Sequence, residues 1–273
     1  MKIDMIAMDL DGTALRPDGA ALSPRMERAI AAAYEKGVCI VPVTGRPYGL
    51  LPPFLQNHPY WESCSILCNG AQIRDLKSGE ILSYLPIPRE KLQEIFALTR
   101  KYDLLIELNA NGNLYLTRDT LLKERKLPDL HLHCSVLLPQ IGRIVDSLES
   151  GAYPEVEKIH INGIPEAVRE EAEQDLKALE LSVVCEKHPR LEVTHRQATK
   201  GEALQILCDH MQISMDRVMA LGDSGNDLTM LQAAGFSVAM GSAPEFIKNA
   251  ADYVTQSNQL DGAAAAIERF VLS

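Results

Sequence analysis

Two short apolar runs, one near each end of the chain, stop on an aspartate: IDMIAMD over residues 3–9 and VMALGD over 218–223. Runs of this length without polar alternation read as strands buried on both faces. Around the first of them the chain alternates strand with helix. SPRMERAIAAAYEKG (23–37) is a helix in which Ser23 can cap, Pro24 suits the first turn and Gly37 ends the run. VCIVPV (38–43) and SILCN (65–69) are further buried strands, and PYGLLPPFLQ (47–56) is a helical segment interrupted by its prolines. The order β-α-β-α-β with short loops predicts a parallel sheet with crossover helices. Ligands of such sheets bind at the carboxyl ends of the strands. Asp9, Thr44 and Asn69 fall at or just past three of those ends.

The pattern changes near residue 70. AQIRDLKSGEILSYLPI reads as a hairpin around KSGE, followed by a helix over 88–101 and two strands, LLIEL and NLYLT, around NANGN. A weak helix (119–125), a strand (133–138), a helix (139–149), a strand (156–161), a helix (165–179) and the strands SVVCE and LEVTH complete an α+β unit. The first style then returns: the helix TKGEALQILCDHM, the strand ending at Asp223, the helix NDLTMLQAAG, the strand FSVAM and two closing helices. The expected fold class is therefore α/β, a Rossmann-like parallel-sheet core from residues 1–83 and 191–273 with an α+β cap domain inserted at 84–190. Pro86–Pro88 and Pro189 are candidate hinges.

Composition narrows the function. A formal net charge of −10 repels phosphate backbones and argues against nucleic acid as a partner. No run approaches the roughly 18 apolar residues of a membrane helix, and no signal-like stretch opens the chain, so a soluble cytoplasmic protein is expected. The six cysteines are scattered, without C-x-x-C, and read as buried reduced thiols. His131 and His133 alternate on a predicted strand without a third ligand in view, and read as exposed strand residues.

The aspartates carry the chemistry. Asp9 and Asp11 sit one residue apart in D-x-D-G-T, so their repulsion must be offset by a proton or a cation. Gly12 allows a tight turn and close approach of a ligand, and Thr13 adds a hydroxyl. By average composition this five-residue pattern arises by chance in roughly a few in a thousand chains of this length. A second cluster, GDSGND (222–227), places Asp223 at a strand end and Asn226 and Asp227 at a helix start. Helix capping alone would account for the latter pair equally well. Taken with Asp9 and Asp11, the cluster reads as a Mg²⁺ site, since Mg²⁺ takes hard oxygen ligands and shares substrate phosphate. Thr44 beside Gly45 in VTGR, and Lys200 in TKGEAL, suit a bound phosphate.

In chain order the set is D-x-D-G-T, T-G-R, K-G and G-D-x-x-N-D, and it resembles the haloacid dehalogenase superfamily of phosphohydrolases, most closely its Cof-type (IIB) branch. NGA (69–71), AGFSVAM (234–240), NAADYVT (249–255) and DGAAAAI (261–267) agree, and the inserted unit has the order of that branch's C2B-type cap. The resemblance implies that Asp9 is the nucleophile, forming an aspartyl-phosphate, and Asp11 the general acid/base. It implies Mg²⁺ held by Asp9, the backbone carbonyl of Asp11, and Asp223, with Asp227 in support. Thr44 and Lys200 would clamp the phosphoryl oxygens, Asn226 would orient Lys200 or a phosphate oxygen, and Gly12 would give backbone access. Thr13, Gly45, Arg46 and Asn69 would line the site. The implied activity is Mg²⁺-dependent hydrolysis of small phosphomonoesters, sugar phosphates or a phosphorylated cofactor, with no nucleic-acid or membrane partner. A phosphotransferase or phosphomutase, and a non-catalytic phospho-ligand-binding protein, remain open on the same fold. A dinucleotide-binding fold would need G-x-G-x-x-G after the first strand, where this chain has D-x-D-G-T.

Overall fold

The computed structural model describes residues 2–127, 138–187 and 190–273. The chain opens with β1 (Met5–Met8), α1 (Pro24–Glu35), β2 (Cys39–Pro42), β3 (Cys64–Leu67), β4 (Gln72–Asp75) and β5 (Ile81–Tyr84). An insert follows, with α2 (Arg89–Tyr102), β6 (Leu105–Ala110), β7 (Asn113–Thr117), α3 (Arg118–Glu124), α4 (Leu138–Ile141), β8 (Gly142–Val145), β9 (Lys158–Asn162), α5 (Arg169–Ala178), β10 (Ser182–Lys187) and β11 (Arg190–Thr194). The chain closes with α6 (Lys200–Met211), β12 (Val218–Gly222), α7 (Leu228–Ala233), β13 (Phe236–Ala239), α8 (Glu245–Lys248), β14 (Tyr253–Val254) and α9 (Gly262–Ile267).

These elements form two compact units. The first runs up to Gly45, resumes over Pro52–Tyr84 and ends with Thr199–Ser273. Its main sheet is parallel, in the order β14-β13-β12-β1-β2. β1 is an interior strand, with Ala7 opposite Ala220 on one side and Val41 on the other. Both β1 and β12 are buried along their whole length, which is why neither tolerates polar alternation. Helix α6 lays Ala203, Leu204, Leu207 and Cys208 into a core that contains Met5, Ala7, Val41, Val218 and Ala220. Helix α1 is punctuated as expected: the Ser23 hydroxyl accepts from the Met26 amide at 3.0 Å, and Met26, Ala29, Ile30 and Ala33 form the buried stripe.

One expectation for this unit changes. β3 meets the continuation of β2 at one parallel bridge, Val43 to Ile66, and otherwise forms a small antiparallel sheet with β4 and β5. The stretch 47–56 makes two short 3₁₀ turns, Tyr48–Leu50 and Pro53–Asn57, because Pro52 and Pro53 lack the amide hydrogens that a longer helix would use.

The second unit comprises Arg46–Leu51 and Leu85–Ala198. Its six-stranded sheet has the order β10-β11-β9-β6-β7-β8 and is antiparallel apart from β7 with β8. One face carries Ile106, Leu108, Ile159, Ile161, Leu191 and Val193, covered by Leu92, Ile95 and Phe96 of α2 and by Ala172 and Leu176 of α5. Leu50 packs with Leu114, Leu116, Leu138 and Ile141, which is how the short early segment joins this unit.

The helix expected over 139–149 is not formed. Ile141, Ile144, Val145 and Leu148 have helical spacing, yet α4 ends after one turn and the chain enters β8, which pairs with β7. Gly142 makes the switch possible: a β-carbon there would lie 2.5 Å from the Leu138 carbonyl oxygen. The strand expected over 133–138, with His131 and His133, lies outside the described residues except Leu138, which begins α4. Cys68 and Cys208 are buried free thiols, Cys39 and Cys64 are half-buried, and Cys185 is exposed, contrary to the expectation of burial. No helix among the described residues is long and apolar enough to cross a membrane.

Candidate active site

Because β1 and β12 are parallel neighbours, their carboxyl ends lie side by side and Asp9 and Asp223 leave the sheet together. The Asp9 amide still donates to the Leu221 carbonyl at 3.0 Å, so Asp9 extends β1 by one residue, and it is only 5% exposed. The chain then turns sharply through Leu10–Ala14, with Gly12 at φ +81°. A β-carbon on Gly12 would lie 2.3 Å from Asp223 Oδ2, so only glycine allows both the turn and the approach of Asp223. The Thr13 hydroxyl donates to Asp223 Oδ1 at 3.1 Å. Asp11 stands exposed on the outside of this turn.

The loop after β12 is organised by Asp227, which is fully buried. Its Oδ2 accepts from the backbone amides of Asp223 (2.9 Å) and Ser224 (3.0 Å). A β-carbon at Gly222 would sit 2.5 Å from the Asp227 β-carbon, so this glycine admits the acid into the loop. Asp227 Oδ1 accepts from the Lys200 ammonium at 2.6 Å, and the same ammonium donates to Asp9 Oδ1 at 2.7 Å. Lys200 is the first residue of α6, where a cation opposes the helix dipole, and it is completely buried. Its placement serves the two aspartates rather than the helix. Gly70, at φ +103°, fixes where α6 begins, because a β-carbon there would lie 2.3 Å from the Thr199 carbonyl oxygen.

A second chain of contacts borders the first. The Asn226 side-chain amide donates to Asn69 Oδ1 at 3.1 Å, and Ser224 Oγ donates to Asn226 Oδ1 at 2.7 Å. Asn69 has a left-handed backbone, φ 59°, which asparagine tolerates, and its amide donates to the Thr44 carbonyl at 3.1 Å. Thr44 is buried and Gly45 beside it half-buried. Arg46 groups with the second unit, where it donates to the Leu50 carbonyl at 3.1 Å. Direct contacts thus join Asp9, Thr13, Lys200, Asp223 and Asp227, and a second set joins Thr44, Asn69 and Asn226. Gly70, Gly222 and Ser224 escaped the sequence reading as positioning residues, although NGA and GDSGND contain them.

The electrostatics are unbalanced. Asp11, Asp223 and Asp227 add negative charge around Asp9, while one ammonium, Lys200, bridges Asp9 and Asp227. Burial holds the Asp9 carboxyl well above the usual carboxylate range; Lys200 opposes this, and Asp227, Asp223 and Asp11 reinforce it. Burial pulls Lys200 the other way, but Asp227 and Asp9 overcome it and hold the ammonium above its ordinary value. Asp9, Asp223 and Asp227 each offer an oxygen within 4.8 Å of the others. Hard oxygen donors with surplus negative charge fit a divalent cation.

The sequence profile of the haloacid dehalogenase-like hydrolases matches residues 6–267. The 5-amino-6-(5-phospho-D-ribitylamino)uracil phosphatase of Bacillus subtilis (strain 168) is 29% identical over 271 residues, covering 99% of this chain and 96% of that one. The pyridoxal phosphate phosphatase of Escherichia coli (strain K12) is 29% identical over 281 residues, covering 98% of each. A solved structure described as a subclass IIB sugar phosphatase of this superfamily superposes with a TM-score of 0.82 at 26% identity, covering 99% of each chain.

Proposed function

This chain belongs to the haloacid dehalogenase-like hydrolases, of the Cof type, and is a phosphatase; from that premise we propose that it hydrolyses small phosphomonoesters, sugar phosphates or a phosphorylated cofactor, in a Mg²⁺-dependent reaction that passes through an aspartyl-phosphate on Asp9. The observation that carries this reading is the buried Lys200 ammonium bridging Asp9 and Asp227 at the carboxyl ends of the central strands.

Asp9 attacks phosphorus and the bond to the leaving oxygen breaks. Asp11, two residues on and exposed, gives its proton to the leaving alkoxide. It then takes a proton from the water that attacks the aspartyl-phosphate, which releases inorganic phosphate and frees Asp9. Lys200 and Thr44 hold the phosphoryl oxygens, and the Asn69–Asn226 pair fixes the loops on either side. Thr13 holds Asp223 in position from the same turn that carries Asp11. Mg²⁺ would be held by Asp9, the Asp11 carbonyl and Asp223, with Asp227 in support, and would supply the positive charge that lets a carboxylate approach a phosphate dianion.

In this reading 1–83 and 191–273 form the catalytic core, and the inserted cap, 84–190, sets the substrate. The relatives named for a ribitylamino-uracil phosphate, for pyridoxal phosphate and for sugar phosphates support a small-molecule ester. The free thiols support a reducing, cytoplasmic setting. The test is phosphate release from p-nitrophenyl phosphate, several sugar phosphates, a nucleotide and pyridoxal phosphate, with Mg²⁺ and with EDTA, on wild type and Asp9→Asn. The expected result is release that needs Mg²⁺ and is lost in Asp9→Asn, with a phosphoryl group trapped on the Asp9 peptide of quenched wild type. Wild-type turnover in Asp9→Asn would overturn the covalent route.

A further inference from the structure

The closing stretches NAADYVT (249–255) and DGAAAAI (261–267) give no residue to the chemistry above, yet the loop that joins them reaches the turn after β1. Thr255 extends β14 by one residue, its amide donating to the Ala239 carbonyl at 2.9 Å. The chain then makes a tight loop before α9. Inside it the Thr255 hydroxyl donates to the Gly262 carbonyl at 2.7 Å, and the amides of Leu260 and Gly262 both donate to the Ser257 carbonyl at 3.0 Å. Asp261 takes a left-handed backbone, φ 55°, which aspartate tolerates. A β-carbon on Gly262 would lie 1.9 Å from the Gln256 carbonyl oxygen, so the loop closes only with glycine there.

One side chain leaves this rigid loop for the turn that carries Asp11. The Asn258 Nδ2 donates to the Leu15 carbonyl at 3.1 Å, across 243 residues of chain and within the first unit. Leu15 closes the turn: its amide donates to the Leu10 carbonyl at 2.9 Å, and the Ala14 amide donates to the Asp9 carbonyl at 3.2 Å. Thr13, on the same turn, grips Asp223. Asp11 and Gly12 are thus carried between Leu10, which Leu15 holds, and Thr13, which Asp223 holds. Packing alone does not seat this turn. A cavity of about 10 Å³, room for a single water, lies between residues 13–16 and Asn258, Asp261 and the first alanines of α9.

We propose that Asn258 is a positioning residue for the reaction: by holding the Leu15 carbonyl it sets where the turn presents Asp11 to the leaving oxygen. The proposal rests on the phosphatase reading above, with Asp11 as general acid. A carboxamide donates to the carbonyl without bringing charge to it, whereas an aspartate of the same shape would turn an acceptor toward it and lose the bond. An alkoxide leaves only as it is protonated, while p-nitrophenolate is a stable anion that leaves without a proton. A misplaced Asp11 therefore slows an alkyl ester more than the aryl ester, and a general loss of structure slows both alike.

The test measures kcat/KM for p-nitrophenyl phosphate and for the best of the sugar phosphates, with Mg²⁺ saturating for each protein, on wild type, Asn258→Ala and Asn258→Asp. The sugar-to-aryl ratio should fall at least about tenfold in both variants, with faster amide hydrogen exchange at Ala14 and Leu15 and unchanged exchange in β1. A ratio that does not fall overturns the proposal. Failure of both variants to fold, or faster exchange spread through β1, would assign Asn258 to the stability of the whole unit and overturn it as well. If wild type releases phosphate from no sugar ester, the preceding reading fails instead. Hydrogen exchange then decides Asn258, and unchanged protection of Ala14 and Leu15 in the variants overturns its role.

Discussion

Replacing Lys200 with Met keeps an unbranched side chain one atom shorter and removes its charge. The 2.7 Å bond to Asp9 and the 2.6 Å bond to Asp227 are lost, and two carboxylates stay where water scarcely reaches. Stranding buried charge in this way costs about 3–5 kcal/mol. A proton limits the cost. Burial already raises the proton affinity of Asp9, Asp227, Asp223 and Asp11 raise it further, and Lys200 is the cation that opposes them. Without it, folded Lys200→Met holds a proton across a pH range in which the unfolded chain, with aspartates near a pKa of about 3.9, has lost it. The folded state then binds more protons than the unfolded one, so stability is greatest below about pH 4 and falls by about 1.4 kcal/mol per pH unit per proton until the raised pKa is passed. Urea denaturation of both proteins across this range, in EDTA and again in Mg²⁺, reads the effect. The deficit against wild type should widen with pH in EDTA and narrow in Mg²⁺, whose charge replaces that of the lysine. A deficit that does not change with pH, or one below about 1 kcal/mol at pH 8 in EDTA, would refute the account of the ion triad.

Gly12→Ala should weaken cation binding, because its β-carbon would lie 2.3 Å from Asp223 Oδ2 and the φ of +81° adds strain of about 1–2 kcal/mol. The Mg²⁺ concentration for half-maximal phosphate release should rise about tenfold or more, and an unchanged value would argue that Asp223 is not a ligand. Asp75 is held by the Ser63 hydroxyl and the amides of Ser78 and Lys77, which push its pKa down to about 2. Its contribution is present above the unfolded pKa and lost as pH falls through the folded one, so Asp75→Asn should flatten the acid limb of the stability curve and cost about 1 kcal/mol at neutral pH. An acid limb matching wild type in that variant would count against it.

The positions of Asp9 and Asp223 were legible because a strand buried on both faces defers its first charge to its end, and both strands do this. Their adjacency followed from parallel topology. The partners of Lys200 were not legible: its contact with Asp9 spans 191 residues, and nothing local distinguishes a lysine aimed at two carboxylates from one aimed at phosphate. Gly70 and Gly222 matter through what a methyl group would strike, which requires the backbone of another segment. The stretch 139–149 misled because its apolar spacing fits a helix, while the edge of β7 and the turn at Gly142 favoured a strand. The burial of the polar residues of β9 was not legible, since alternation ordinarily turns such residues to water, and here Lys158 and His160 are buried.

Thr13 and Asp223 touch across 210 residues of chain, and β1 pairs with β12 across a similar span. On the ribosome, at about 5–20 residues per second, that span corresponds to roughly 10–40 s between the synthesis of Asp9 and that of Asp223. Throughout that interval β1 lacks its β12 neighbour, and α6 is made only near its end, so the apolar segments of the first unit wait half-assembled. Most of the second unit, by contrast, is encoded as one uninterrupted stretch and can form while the first waits. A nascent chain stalled or truncated before β12 therefore carries an exposed strand edge and no reactive centre, and holding that edge apart from other chains is work for a chaperone.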